Sequence, residues 1–188
     1  TELQLLRMQL NPHFLFNTLN NLYGLAVTKS DKLPGLMLKL SDLLRYLHDD
    51  AKQATVPLEK ELTFLENYIE LQKVRLSENI DVNYQQTGHP GSLTISPALL
   101  INFVENSFKH LNTETENAFI QITVNITNKE LAFWIKNTKN NNDHEKAREG
   151  TGLSNIRKRL ELLYPEKHQL NIQETTATFE VALNLTLA

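Results

Sequence analysis

Cysteine is missing from all 188 residues, which excludes disulfides and thiolate metal sites and permits a reducing compartment. No charge of one sign dominates either. Lysine and arginine total 19 against 22 acidic residues, for a net charge of −3 and a pI near 6.1, so nothing in the balance argues for nucleic acid or an anionic membrane as partner. No apolar run approaches the roughly 20 residues that span a bilayer, no signal-peptide pattern is present, and no internal repeat is visible. What is there is ordinary for a folded domain: 40% hydrophobic and 22% charged residues, a composition that argues against disorder. The length suits one domain with a helical appendage, or two small ones. The chain opens at Thr1 and enters a leucine-spaced helix almost at once, which reads as a piece of something longer.

The first part is helical by period. Leu3, Leu6 and Leu10 open a stripe that shifts to Leu15, Leu19, Leu22 and Ala26 after Asn11-Pro12, where proline removes a backbone donor and should bend the helix. Ser30-Asp31 with Pro34 signals a second helix, with apolar positions from Leu33 to Leu47. A third follows Val56-Pro57, with Leu58, Leu62, Leu65, Ile69, Gln72 and Leu76 at spacings of four and three. Each shows an apolar face that needs a partner. Near residue 78 the period changes. Ile80, Val82 and Tyr84 alternate as a strand, and Ser96-Pro97 should start a helix reaching about His110. Ile120 to Ile126 and Leu131 to Ile135 read as a hairpin turning at Asn128-Lys129. Residues 138–150 are nearly all polar and read as a mobile loop. A helix from about Gly152 to Tyr164 and two strands, Leu170–Glu174 and Thr178–Leu187, complete the chain. The fold class is therefore α+β, with helices over 1–77 and an α/β unit over 78–188.

Two segments of the second unit carry chemistry. On a helix over 97–110, Leu99, Leu100, Phe103, Val104 and Phe108 can face a core, leaving Asn102, Glu105, Asn106, Lys109 and His110 on the other side. A carboxamide oxygen can hold Mg²⁺ while phosphates supply most of the charge, and a lysine one turn on can reach phosphate oxygens. The second segment is Gly150-Thr151-Gly152-Leu153, where glycines let backbone approach a phosphate and the following helix offers free N–H groups. Taken alone, the first reads more readily as a solvated helix face, and the second is a weak signal that a simple loop-to-helix turn would also give.

In this order the two segments resemble the ATP-binding domain of the GHKL superfamily. Val104-Glu105-Asn106-Ser107-Phe108-Lys109-His110 looks like the kinase N-box, and Gly150-Thr151-Gly152-Leu153-Ser154-Asn155 like the second glycine box. The resemblance implies a Bergerat-type α/β sandwich binding ATP and Mg²⁺. It assigns the metal to Asn106, phosphate contacts to Lys109 and His110, and an ATP lid to 138–149, with Asn102, Gly150, Thr151, Gly152 and Leu153 also in the nucleotide site. One position departs. The family's adenine-binding aspartate is replaced by Asn137 in Lys136-Asn137-Thr138-Lys139-Asn140; its amide oxygen can still accept, but through a weaker neutral bond.

The first unit narrows the family. Residues 8–17 read Met-Gln-Leu-Asn-Pro-His-Phe-Leu-Phe-Asn and closely resemble the phosphoacceptor box of LytS-like histidine kinases. The resemblance continues through Leu40-Ser41-Asp42-Leu43-Leu44-Arg45-Tyr46, Leu58-Glu59-Lys60-Glu61-Leu62 and Tyr68-Ile69-Glu70-Leu71-Gln72-Lys73-Val74-Arg75. A neutral imidazole can attack phosphorus when one nitrogen is unprotonated, and Asn17, one turn on, can orient the His13 ring. Phe14 follows where commoner histidine kinases carry an acid, so the assisting base must come from elsewhere, with Glu105 the candidate. The resemblance implies a two-component sensor kinase core that autophosphorylates His13 from Mg-ATP, dimerises through residues 1–77, and passes the phosphoryl group to a response regulator, LytTR-type by family. The fragment would be the cytoplasmic portion of an inner-membrane protein without membrane contact of its own. The alternative is a degenerate kinase acting as a dimeric signalling scaffold. His48, His89, His144 and His168 read as structural, and Trp134 with Phe119, Phe133 and Phe179 as sheet core.

Overall fold

A computed structural model describes residues 12–139 and 151–188. Helices α1 (Pro12–Val27) and α2 (Leu33–Arg45) form a hairpin. Lys29, at a φ of 53°, closes α1, and Ser30 N–H returns to the Leu25 carbonyl at 2.9 Å. Leu22 of α1 and Leu36, Leu40 and Leu43 of α2 are buried, while Phe16, Leu19, Tyr23, Val27, Met37, Leu38 and Leu44 leave a broad apolar surface exposed. The bend expected at Asn11-Pro12, and the stripe before it, lie outside the described residues. Helix α2 passes directly into a π-helical turn, Tyr46–Asp50, which periodicity did not foresee.

Helix α3 (Leu58–Lys73) begins on a strand. β1 (Val56–Pro57) pairs antiparallel with β3 (Thr94–Ile95), and Leu58 N–H donates to the Leu93 carbonyl at 2.8 Å. Leu58, Leu62, Phe64, Leu65, Tyr68, Ile69 and Leu71 are all buried, a wider apolar surface than one stripe, because α3 packs on α2 at one side and on the second unit at the other. The core is therefore continuous across residue 77.

The five-stranded sheet has the order β2-β4-β5-β7-β6, from β2 (Asp81–Thr87), β4 (Phe119–Thr127), β5 (Glu130–Thr138), β6 (His168–Glu174) and β7 (Thr178–Thr186). β2 and β4 are parallel and the other pairs antiparallel. Alternation places Ile120, Ile122, Val124, Leu131, Phe133, Ile135, Val181, Leu183 and Leu185 on one face, covered by α4 (Ile101–Lys109) and α5 (Thr151–Leu163). The architecture is thus an α/β sandwich, five strands under two helices, joined to a helical hairpin. Asn128, at a φ of 55°, makes the β4–β5 turn as expected. Gly88 at the end of β2 is required by space and by its φ of 82°, since a Cβ there would lie 2.0 Å from the Ile126 carbonyl oxygen.

Three expectations change. Helix α4 starts at Ile101, not at Ser96-Pro97, because Ala98 takes a left-handed φ of 51° that interrupts any earlier turn. The polar loop does not begin at 138: Thr138 closes β5, and Lys139 is buried in a bridge to Leu111 and pairs with Glu174. Trp134 is only half-buried on the opposite sheet face, where its indole N–H donates to Glu180 at 2.8 Å. Among the described residues, no helix is long and apolar enough to cross a membrane.

Candidate functional site

His13 sits in the first turn of α1 and is exposed. The Asn17 amide nitrogen lies 3.1 Å from its Nδ1 and 3.4 Å from its Nε2, so Asn17 does meet the ring one turn on. Phe14, the next residue, points the other way and is buried. Its ring packs against Tyr68 of α3, tilted by 32° with centroids 4.6 Å apart, and Tyr68 meets Phe108 of α4 edge-on at 6.2 Å. An aromatic ladder therefore ties the backbone at His13 to helix α4 of the same chain. Burial raises the Tyr68 phenol above its ordinary range, and the Glu105 charge adds to the rise. Glu105 lies three residues before Phe108 on α4 and is half-buried.

Helix α4 presents the polar residues much as its spacing suggests. Phe103, Val104, Ser107 and Phe108 are buried, and Phe103 meets Phe133 of β5 at 5.9 Å. Asn102, Glu105, Asn106 and His110 are half-buried, and Lys109 is exposed. Asn102 turns its amide nitrogen back to the Ala98 carbonyl at 2.9 Å. The C-terminal end of α4 is drawn to the end of β5 by the Leu111–Lys139 bridge and by Asn112 N–H donating to the Thr138 carbonyl at 3.2 Å. That contact brings the end of α4, with Lys109 and His110, towards Asn137.

Asn137 is fully buried on the helix-covered face of the sheet. Its amide nitrogen donates to the Thr138 carbonyl at 3.0 Å, but its Oδ1 has no partner among the described residues. A buried acceptor without a donor costs free energy, so this atom is suited to a ligand N–H. Thr151, Gly152 and Leu153 form the first turn of α5; Gly152 is exposed, with open space around its Cα, and Leu153 packs against the core. Gly150 and positions 140–149 of the expected lid lie outside the described residues. Among the described residues no cluster of three His, Asp or Glu could hold a metal by itself.

The histidine kinase family model matches residues 1–80. Sensor protein LytS of Oceanobacillus iheyensis is 29% identical over 185 residues, covering 90% of this chain and 32% of that protein. The chain is similar to LytS sensor proteins over about nine-tenths of its length. It spans about a third of the length of the LytS proteins that it matches. The fold is shared more widely. The histidine kinase domain of the Erythrobacter litoralis blue-light activated kinase EL346 aligns with a TM-score of 0.53 at 15% identity, covering 87% of this chain and 83% of that one. Full-length ShkA, solved in complex with AMPPNP, gives 0.51 at 18% identity over 88% of this chain and 38% of its own.

Three residues of this LytS-like core escaped the sequence reading. Glu61 is fully buried, Arg159 nearly so, and Tyr46 joins them beneath the start of α4. A signal was present: Glu61 lies on the apolar stripe between Leu58 and Leu65, and Arg159 between Ile156 and Leu160, positions where a charge must find partners.

Proposed function

We propose that this chain is the kinase core of a two-component sensor, transferring the γ-phosphoryl group of ATP to His13. The observation that carries the reading is an exposed His13 whose neighbour Phe14 is docked, through Tyr68, on the helix bearing Asn106. With the Asn17 amide turned over from its present donation to the ring, its oxygen would accept from Nδ1–H and leave Nε2 with the attacking lone pair. The new N–P bond forms as the P–O bond to ADP breaks. The ring becomes positively charged, and Glu105 balances that charge or takes the proton. Asn137 Oδ1 would accept from the adenine amine, and Asn102, Lys109, His110 and the Gly150–Leu153 turn would line the phosphates. Asn106 would add a neutral oxygen to Mg²⁺, which supplies charge neutralisation at the phosphates. The exposed apolar face of α1 and α2 would pair with a second copy as a helix bundle. The phosphoryl group would then pass to an aspartate on a response regulator, LytTR-type by family. The whole protein would be a membrane sensor, with this part on the cytoplasmic side.

A second reading is a degenerate kinase that signals as a dimeric scaffold, favoured by the neutral Asn137 in place of a charged acceptor. Incubation with Mg²⁺ and γ-labelled ATP separates the two. Acid-labile label that is lost in His13→Gln, and in Asn106→Asp with the fold intact, supports the kinase. An intact dimer that binds no ATP at millimolar concentration supports the scaffold, and phosphate release without label would indicate a simple ATPase.

A further inference from the structure

Helix α4 is not free at its N-terminal end. Three successive backbone N–H groups, those of Ala98, Leu99 and Leu100, donate to the Glu61 carboxylate at 2.9, 3.0 and 3.2 Å. The Tyr46 hydroxyl donates to the same carboxylate and also receives from Ala98 N–H at 3.1 Å. On the carbonyl side, Arg159 of α5 donates to the Ala98 oxygen at 2.9 Å, to Ser96 Oγ at 2.8 Å and to the Pro97 oxygen. The strained residue, Ala98, is therefore gripped from both sides, which is how a left-handed non-glycine residue persists. A buried carboxylate offers up to four strong acceptor directions, and here four donors fill them.

Tyr46 connects this cluster to the hairpin. It is the first residue of the π-helical turn that ends α2, and its ring stacks on Phe64 of α3 at 4.1 Å. Asp50, at the other end of the turn, pairs with Lys60 of α3 at 2.8 Å. Insertions of this kind into a helix concentrate at functional sites. The nine-residue helix that follows Leu100 carries Asn102, Asn106 and Lys109, so whatever sets its start sets their position.

We propose that Tyr46 and Glu61 are positioning residues, a hydrogen-bonded relay that couples the end of the hairpin to the helix bearing Asn102 and Asn106, with Arg159 as the fixed counter-grip. The proposal rests on the nucleotide reading of that helix. Tyr46 and Glu61 are both buried, and neither is among the residues proposed to line the nucleotide. Displacement of the π turn withdraws the Tyr46 hydroxyl and loosens the start of α4. Linkage makes the effect reciprocal: a nucleotide held by α4 stiffens the turn.

The test is Tyr46→Phe in the 188-residue chain, which keeps the ring stack and removes only the hydroxyl. Amide hydrogen exchange is measured without nucleotide, and Mg-ATP affinity and His13 labelling alongside. Exchange over 98–110 should accelerate about tenfold while β4 and β5 stay protected, and the Kd for Mg-ATP should rise about tenfold. Unchanged exchange over 98–110 overturns the relay whatever the chain does with ATP. Faster exchange with an unchanged Kd, in a chain that binds ATP, also overturns it, leaving these residues a merely structural role. A wild-type chain that binds no ATP sinks the kinase reading instead, and exchange alone then judges the tie. Should the variant not fold, the wild-type chain decides: Mg-ATP must slow exchange in 46–50, and no slowing refutes the coupling.

Discussion

Asn137→Asp changes one atom and tests the proposed nucleotide site from both sides. Among the described residues Oδ1 is buried and unpaired, an omission that costs about 1–3 kcal/mol until a donor arrives. An adenine amine would recover that sum, and replacing the amide by a carboxylate would roughly double the strength of the bond. A further gain of about 1.4 kcal/mol is a tenfold tighter Kd. Without nucleotide the sign reverses. The new carboxylate would lose its present Nδ2 donation to the Thr138 carbonyl and face that oxygen in a fully buried position. A penalty of about 2–3 kcal/mol follows, and with roughly 2–4 °C per kcal/mol in a chain of this size the Tm should fall by about 4–12 °C. Differential scanning fluorimetry with and without Mg-ATP reads both effects, and isothermal titration gives the Kd directly. The variant should melt earlier alone and bind ATP about tenfold more tightly. Loss of stability with no gain, or a weakening, of ATP affinity would refute adenine contact at this residue.

Phe14→Ala should cost about 3 kcal/mol, because it removes a buried ring from its contact with Tyr68, and should slow His13 labelling; a Tm within 2 °C of wild type would deny the ladder any weight. Tyr23→Glu with Met37→Glu, both on the exposed apolar face, should give a folded monomer by light scattering; a persistent dimer would place the interface elsewhere. Hydrogen bonds from Trp134 and Lys136 hold the Glu180 carboxyl below its ordinary value of 4.5. A depressed folded-state pKa means a contribution present above about pH 4.5 and lost as pH falls through the lower folded value. Fluorescence of Trp134, the single tryptophan, should therefore change in acid below the ordinary carboxylate range and not in Glu180→Gln; equal titrations would refute the link.

Local patterns carried much of this fold. The period of Leu33 to Leu47 marks α2, the alternation of Ile120 to Ile126 marks β4, and Asn128 marks the turn between β4 and β5, because each is set within a few residues. The failures share a different cause. Ser96-Pro97 resembles a helix start, yet Glu61 and Arg159 hold Ala98 in a conformation that delays the helix to Ile101, and both partners are distant in sequence. Val56–Pro57 is too short to read as a strand until Thr94–Ile95 pairs with it. The Leu58–Leu76 stripe reads as bundle because nothing local tells which of two units it covers. At the site, the polar face of α4 was visible in its spacing, whereas the unpaired oxygen of Asn137 and the buried carboxylate of Glu61 are properties of the assembled core.

The two ties between hairpin and α/β unit differ in kind, and magnitudes order them. Phe14 on Tyr68 is a single ring contact next to an exposed histidine, worth about 0.5–1.5 kcal/mol beyond the area it buries. The Tyr46–Glu61 tie is a hydrogen bond to a buried carboxylate, worth about 1.5–3 kcal/mol and costly to leave unmade. Breaking the first exposes apolar surface but orphans no polar group; breaking the second strands an acceptor in the core. The contact beside His13 is thus the one a kinase can open while α4 stays gripped at its start. On the proposed kinase reading, that order would suit His13 meeting two partners in turn, a nucleotide and then an aspartate of another protein.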